Sequence, residues 1–132
     1  MTMTQSLPPH ARSTTALHLN EIAKSGSFSL QVCQECHTVQ YPPRDVCSHC
    51  LGAGLLWQTV DATATLVACS TLHHSNEPYF QAKLPWYIGT AKLDCGPVAI
   101  VNLPASLPLG QRLRLALELD ASQSAVLNAT PI

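Results

Sequence analysis

The chain has 132 residues, enough for one ordinary domain or two very small ones. Hydrophobic residues make up 46% of the sequence, which is enough for a packed core and excludes wholesale disorder. Charged residues make up only 11%, and the formal net charge is −1. This balance excludes the basic footprint of a nucleic-acid binder, and so few charges indicate that a partner covers part of the surface.

The N-terminal part of the sequence predicts a polar segment followed by a short helix. No apolar run reaches the ~18 residues of a membrane span, and the first fifteen residues lack the pattern of a secretory signal. We therefore expect a cytoplasmic protein with no membrane association. Residues 1–13 are expected to be loose. A helical pattern begins at Thr14 or Thr15 and runs to Ala23, with Lys24 in its last turn and Gly26 as its stop.

Most of the remaining chain has the patterns of β-strands. The clearest is Arg112 to Leu119, in which four leucines alternate with polar residues or alanine. Asp94-Cys95-Gly96 predicts the turn of a hairpin. The expected strands are 28–32, 55–60, 62–72, 88–93, 97–102 and 112–119. The last five predict a small antiparallel barrel, of which the five-stranded OB-fold is the commonest form. The tail after Asp120 is expected to be disordered or to lie along a partner.

The segment from His73 to Trp86 interrupts the strand pattern. With the next residue it holds four of the seven aromatic side chains of the sequence: Tyr79, Phe80, Trp86 and Tyr87. A connection that is long and aromatic is expected to contact a partner or a ligand. The alternative is that these rings fill the barrel core.

Two Cys-x-x-Cys pairs are the most specific motif. Cys33 and Cys36 are followed after ten residues by Cys47 and Cys50. This spacing predicts a site in which four thiolates surround one metal ion. Zinc is favoured, and because four protein ligands leave no open position the ion is expected to be structural.

Other interpretations of these cysteines stay open. Iron suits the same four ligands, whereas two disulfides would require export. Cys36 is followed by His37, which spells a haem-attachment motif, although haem would leave the second pair unexplained. His49 and His37 are expected to be solvent-facing knuckle residues. Cys69 and Cys95 are expected to be small buried hydrophobic residues, because no histidine outside the 73–86 loop lies near them in sequence.

The order of these features resembles a known family. The first cysteine pair, Tyr41-Pro42-Pro43-Arg44, the second pair, a Thr-rich strand and Pro85-Trp86-Tyr87-Ile88-Gly89 are similar to zinc-ribbon/OB-fold proteins associated with acyl-CoA metabolism. The resemblance covers roughly residues 15–120. One departure is visible, because His37 stands where the family commonly has glycine, a residue that accepts a positive φ more easily.

The resemblance implies a mainly β fold with a short N-terminal helix, a rubredoxin-like zinc ribbon and a C-terminal five-stranded OB-fold barrel. The implied divisions are a tail and helix over 1–27, the ribbon over 28–54, the barrel over 55–120 and a C-terminal tail over 121–132. Related proteins act as small, non-catalytic subunits beside thiolase-superfamily enzymes that handle coenzyme A esters. An α2β2 complex with a thiolase-type large subunit is therefore expected, stabilised by this chain.

The resemblance also directs attention to individual side chains. Arg44, Lys83 and Lys92 are the cations expected near CoA phosphates, although each is also an ordinary surface charge. The four aromatic residues are expected to line an interface or a substrate channel. The expected chemistry is thiolysis or acyl transfer, for example on an aromatic acyl-CoA such as benzoylsuccinyl-CoA. The alternatives are a steroid side-chain aldolase subunit, an acyl-CoA hydratase subunit, and a single-stranded nucleic-acid-binding protein.

Overall fold

The computed structural model describes residues 14–132, with side chains from residue 17 onward. These residues form two helices and eight strands, in two sheets. In chain order the elements are α1 (Thr14–Ser25), β1 (Ser29–Cys33), β2 (Val39–Gln40), β3 (Leu55–Thr59), β4 (Thr63–Leu72), α2 (Pro78–Gln81), β5 (Trp86–Leu93), β6 (Val98–Asn102), β7 (Arg112–Leu119) and β8 (Ala125–Pro131). The prediction for residues 1–13 lies outside the described residues.

The first sheet carries the cysteine pairs. Its three antiparallel strands have the order β2-β1-β3, so β1 is central and all five of its residues are buried. Cys33 ends β1 and Cys36 lies in the connection to β2, whereas Cys47 and Cys50 both lie in the connection between β2 and β3. This sheet is the ribbon, and it presents both cysteine-containing turns at one end.

The second sheet is a closed barrel with the strand order β4-β5-β6-β8-β7. Strand β7 pairs with β4 to close it, and β6 and β8 pair in parallel at Asn102 and Asn128. This order and the parallel pair are those of a five-stranded Greek-key OB-fold, as predicted. Closure leaves no long sheet edge exposed within the barrel.

The core of the barrel is aliphatic. In β7 the residues alternate between exposed and buried, so the predicted leucine face points inward. Leu66, Leu93, Val101 and Leu113 are each at most 1% exposed. Helix α1 joins this core through Leu19, and the side-chain oxygen of Asn20 accepts a hydrogen bond from the backbone N–H of Ala125, at 2.7 Å. The predicted helix stop is confirmed, because Gly26 has a φ of 77°.

Two sheet assignments differ from the expectations. Residues 55–60 were expected to begin the barrel, but β3 pairs with β1 in the ribbon, because its residues continue the register from Leu55 opposite Cys33 to Thr59 opposite Ser29. The tail after Asp120 was expected to be disordered or to lie on a partner, but β8 is the fifth barrel strand and pairs with β7 over seven residues. Its burial alternates from Ala125 to Ala129, which is the strand period.

The structure also adds an element that the sequence did not predict. Within the interrupting segment, α2 forms a single turn that starts with proline. Across the described part of the chain, no helix is both long and apolar enough to cross a membrane.

Candidate metal centre and aromatic cavity

The two cysteine pairs form turns of the same geometry. In the first, the backbone N–H of His37 donates to the carbonyl of Cys33 at 2.9 Å, and in the second the N–H of Leu51 donates to the carbonyl of Cys47 at 3.0 Å. His37 and Leu51 have φ values of 64° and 65°. The positive φ expected at His37 from the family pattern is therefore present, and both turns hold a bulky side chain in a conformation that favours glycine.

Four sulfur atoms converge between these turns. The Sγ atoms of Cys33, Cys36, Cys47 and Cys50 all lie within 4.8 Å of one another. The Cys33–Cys50 and Cys36–Cys47 pairs are each 3.5 Å apart. A tetrahedral zinc ion with Zn–S bonds of about 2.3 Å needs S–S distances of about 3.8 Å. The four cysteines thus form a structural metal site, and no ligand position is left for a substrate.

The electrostatics of the four thiols favour a bound cation. Hydrogen bonds from the side chain and backbone of Thr38 lower the pKa of the Cys36 thiol to about 5. At Cys50 the backbone of Gly52 lowers the pKa, but the neighbouring thiol of Cys33, desolvation and the other two thiols outweigh it and raise the pKa to about 12. Four thiolates this close repel one another, so a metal cation is what permits all of them to ionise.

Two buried glutamines organise the connection between the cysteine pairs. Gln31 accepts a hydrogen bond from the Arg44 N–H at 2.7 Å and donates to the Arg44 carbonyl at 2.9 Å. Gln40 accepts from the Ser48 N–H at 2.9 Å and donates to Thr38 O at 3.0 Å, with the Cys47 sulfur also within reach of its Nε2 at 3.4 Å. Both side chains are at least 96% buried. Their side chains give hydrogen-bond partners to the backbone of the connection, at Arg44 and Ser48, and so hold the second cysteine pair in place.

A separate cavity lies at one end of the barrel. Its volume is about 610 Å³. Its lining includes four aromatic residues and two asparagines: Tyr79, Phe80, Trp86, Tyr87, Asn102 and Asn128. The ring centroids of Tyr79 and Phe80 are 5.1 Å apart, and those of Phe80 and Trp86 are 5.0 Å apart, both edge to face. The structure thus brings together the four aromatic residues that the sequence singled out. We call this the aromatic cavity.

A chain of polar side chains crosses the strands beside this cavity. The indole N–H of Trp86 donates to Asn102 at 3.2 Å, Asn102 donates to Asn128 at 3.0 Å, and Asn128 donates to Glu118 at 3.2 Å. Sequence reasoning missed both asparagines. Asn128 lies in a segment that was predicted to be a tail. Asn102 is the last residue of a predicted strand, and no pattern in the sequence indicates that its side chain lines a cavity.

The three predicted cations lie in two places. Lys83 lies beside the aromatic cavity, with its Nζ 5.1 Å from the centroid of the Tyr79 ring. Arg44 lines a second cavity, of about 420 Å³, between the ribbon and the β5–β6 hairpin. The Lys92 ammonium donates to the Gly96 carbonyl in that hairpin. One site therefore does not contain all three cations.

Neither Cys69 nor Cys95 belongs to the metal site or to the aromatic cavity, although Cys95 lines the second cavity. Both are half-buried and pack against the barrel core, close to the small-hydrophobe role predicted for them. Desolvation raises the pKa of the Cys95 thiol, which makes this residue a poorer nucleophile at neutral pH.

Comparisons with known proteins match this architecture. A family model described as the ChsH2 rubredoxin-like zinc ribbon domain matches residues 21–55. A solved structure described as "Ltp2-ChsH2(DUF35) aldolase" is 21% identical, with a TM-score of 0.77, and the match covers 93% of this chain and 98% of that one. No curated protein matches the sequence.

A second solved structure shares the fold more distantly. It is a DUF35-family protein of unknown function from Sulfolobus solfataricus, 14% identical with a TM-score of 0.59, and the match covers 87% of this chain and 83% of that one. The ribbon match and the shared fold confirm the resemblance to the zinc-ribbon/OB-fold family.

Proposed function

We propose that this chain, a ChsH2-type zinc ribbon joined to an OB-fold, is a small non-catalytic subunit of a thiolase-like or aldolase complex that acts on acyl-CoA. The observation that carries the proposal is the fold shared with the Ltp2-ChsH2(DUF35) aldolase over almost the full length of both chains. The description of that structure names two components, Ltp2 and ChsH2(DUF35), together with an aldolase.

The chemistry of this chain's own residues supports a non-catalytic role. The four-cysteine site is closed, so it holds the ribbon together and offers no position for substrate. Cys69 and Cys95 pack against the core, and the raised pKa of the Cys95 thiol opposes its use as a nucleophile. We therefore expect the reacting groups to belong to the large subunit.

The outer face of the barrel supports burial against a protein. Three rows of outward residues cross β4, β5 and β6: Ala68–Thr90–Ile100, Ser70–Ile88–Asn102 and Thr65–Lys92–Val98. Ile100 is 62% exposed and Val98 is 51% exposed, and Lys92 is the only charged residue in these rows. Exposed apolar side chains among uncharged residues are typical of an interface core. We call this surface the barrel outer face.

The finer parts of the proposal concern the reaction and the assembly. We propose zinc as the metal, a thiolase-superfamily large subunit, an α2β2 complex and a cytoplasmic location in which the four thiols stay reduced. The preferred reaction is thiolysis or acyl transfer on an acyl-CoA with an aromatic acyl group. A steroid side-chain aldolase and an acyl-CoA hydratase are the alternatives for the partner. Arg44, Lys83 and Lys92 remain the cations proposed to contact CoA phosphates.

The test is affinity purification of the tagged chain from its native cells, followed by mass spectrometry and metal analysis. We expect one enzyme polypeptide of the thiolase or aldolase type at close to equimolar yield. Ile100→Asp on the barrel outer face should lose the partner, whereas Leu56→Asp, at a residue of β3 that is 55% exposed, should retain it. Recovery of the chain alone, or with nucleic acid, would contradict the proposal.

A further inference from the structure

Three of the four rings of the aromatic cavity do not pack against the barrel core. The core is made of aliphatic side chains, and among the four aromatic residues only Tyr87 packs against it. Tyr79, Phe80 and Trp86 instead contact one another edge to face, and all three remain partly exposed. Rings that are half-buried and contribute nothing to the core offer edges and faces to another molecule.

Hydrogen bonds hold the segment that carries these rings. The side-chain amide of Gln81 donates to the Ser75 carbonyl at 2.8 Å, and the Glu77 N–H donates to the Ser75 hydroxyl at 3.1 Å. Trp86 is fixed in turn by its hydrogen bond to Asn102. The cavity is therefore formed before any ligand arrives, as small-molecule sites usually are.

Two side-chain amides in the cavity lining have N–H groups to offer a ligand. Each side-chain amide nitrogen of Asn102 and Asn128 carries two N–H groups, and each donates one hydrogen bond within the described part of the chain. The second N–H of each remains available for an acceptor on a ligand. The one carboxylate in the lining, Asp120, accepts from the backbone N–H groups of Ser122 and Ser124 at 2.8 and 3.0 Å, in both cases through Oδ1.

We infer that the aromatic cavity binds a flat aromatic ring that carries a hydrogen-bond acceptor. The rings of Tyr79, Phe80 and Trp86 recognise the ligand ring, and the amides of Asn102 and Asn128 recognise its acceptor. An aromatic acyl-CoA thioester has two parts with this chemistry. One is the aromatic acyl group with its carbonyl oxygen, and the other is the adenine of coenzyme A with its ring nitrogens. The choice of thioesters as probes rests on the proposed function; the ring site itself does not.

The experiment measures binding to the full, metal-loaded chain by isothermal titration calorimetry. The probes are benzoyl-CoA, cyclohexanecarbonyl-CoA, acetyl-CoA and AMP. If the site holds the acyl ring, benzoyl-CoA should bind about tenfold more tightly than the cyclohexane thioester of similar size. If it holds adenine, AMP should bind and the three thioesters should bind equally. Equal binding of the thioesters without AMP binding, or no binding of any probe, would overturn the inference.

Variants locate the binding to the cavity. Phe80→Leu keeps an apolar side chain and should lose about tenfold in affinity for the preferred probe, whereas Phe28→Leu, at the other phenylalanine, should not. Asn102→Asp replaces the free donor with an acceptor and should also weaken binding. In a Trp57→Phe background Trp86 is the only tryptophan, so its fluorescence should respond to the probe. If Phe80→Leu binds the probe as tightly as the wild type, and the fluorescence of Trp86 does not change on binding, the probe binds elsewhere and the inference is overturned.

These outcomes are independent of the search for a partner. A chain that binds the ring but recovers no enzyme would retain the inference and contradict the proposed function. A chain that recovers the enzyme but binds no probe would support the proposed function and overturn the inference.

Discussion

The side-chain amide of Gln31 forms both of its hydrogen bonds with the backbone of a single residue, Arg44. The oxygen accepts from the Arg44 N–H and the nitrogen donates to the Arg44 carbonyl, as a neighbouring strand would do. Gln31 lies in the central strand of the ribbon, next to Val32 and Cys33. This contact ties the connection between the cysteine pairs to the strand that carries the first ligand.

We expect Gln31→Leu to destabilise the ribbon by about 1–3 kcal/mol, because two backbone groups of Arg44 lose their partners. Gln31→Glu should be at least as harmful, since it places a charge against a carbonyl. Gln34→Leu is the matched control, because Gln34 is exposed and its amide donates to the carbonyl of Val32, two residues away in the same segment. Denaturant unfolding measures the effect, and equal stability of Gln31→Leu and the control would contradict it.

The metal site makes a second prediction. The purified chain should hold one zinc ion, and Cys33→Ser or Cys47→Ser should lose it and unfold the ribbon, because the ion supplies much of the folding free energy of such a small unit. Cys69→Ser is the control and should retain the metal, since Cys69 lies in the barrel. Elemental analysis under reducing conditions distinguishes zinc from iron. A chain with less than one metal ion would refute the site.

The positive φ at Leu51 predicts a stabilising substitution. Leu51 is 75% exposed, so Leu51→Gly removes little packing and relieves the strain of the left-handed conformation. After the entropic cost of glycine, we expect a gain of about 0.5–1 kcal/mol. Leu51→Ala keeps the Cβ atom and should gain nothing. Unfolding curves with metal present measure both, and equal gains for the two variants would contradict the explanation.

Gly89 makes a fourth prediction, at the centre of the barrel wall. A Cβ atom there would lie 2.6 Å from Leu66 Cδ1, 2.9 Å from Leu103 Cδ1 and 3.1 Å from the Ala68 carbonyl. We expect Gly89→Ala to cost about 1–3 kcal/mol, as overpacking of a core usually does. Gly54→Ala is the control, since its Cβ would lie 3.8 Å from that of Gln34. Thermal unfolding compares the two variants. Equal midpoints would contradict the prediction and show that the neighbouring side chains can move to accept the added Cβ atom.

The fifth prediction concerns acid. Hydrogen bonds from Arg112 and then from Thr63 lower the pKa of Asp94 to about 2. A carboxylate whose pKa falls on folding stabilises the protein above its ordinary pKa of about 3.9, and this contribution is lost as the pH falls toward 2. Asp94→Asn should therefore lower the thermal midpoint equally from pH 7 to about 5 and progressively less below pH 4.

The same measurement has an internal control. Acid also displaces the metal from both proteins, so only the difference between wild type and Asp94→Asn reports on the Asp94–Arg112 pair. Glu21→Gln removes an exposed partner of Lys24 and should show no such pH dependence. A difference that stays constant down to pH 2 would mean that the ion pair contributes nothing to stability.

Local patterns in the sequence correctly predicted those parts of the fold that depend on residues close together in the chain. The leucine alternation of β7, the glycine stop of α1 and the two cysteine pairs each have a short-range physical cause, and the structure has all three. The four aromatic residues were also correctly grouped, because they lie close together in sequence. The separation of Tyr79, Phe80 and Trp86 from the core was not predictable, because a half-buried ring and a core ring look the same in sequence.

What the sequence did not reveal depends on pairing between distant segments. The residues of β3 fit either sheet, and only the register with β1 assigns them to the ribbon. Strand β8 has a weak alternation in sequence, because the apolar Val126 shares the less buried face with Asn128, and its role follows from its position between β6 and β7. Gln31 and Gln40 look like ordinary polar strand residues in the sequence, because the connection that their side chains bind lies further along the chain.

Strand β8 also determines when this protein can complete its fold during synthesis. A chain that lacks its last residues leaves β6 and β7 with open edges, which are templates for pairing with other chains. The ribbon, whose residues end near Thr59, depends on none of them and can bind its metal much earlier. On the ribosome the ribbon would therefore form first, while barrel closure, the contact between Asn20 and Ala125 and the polar chain through Asn128 all wait for the final strand.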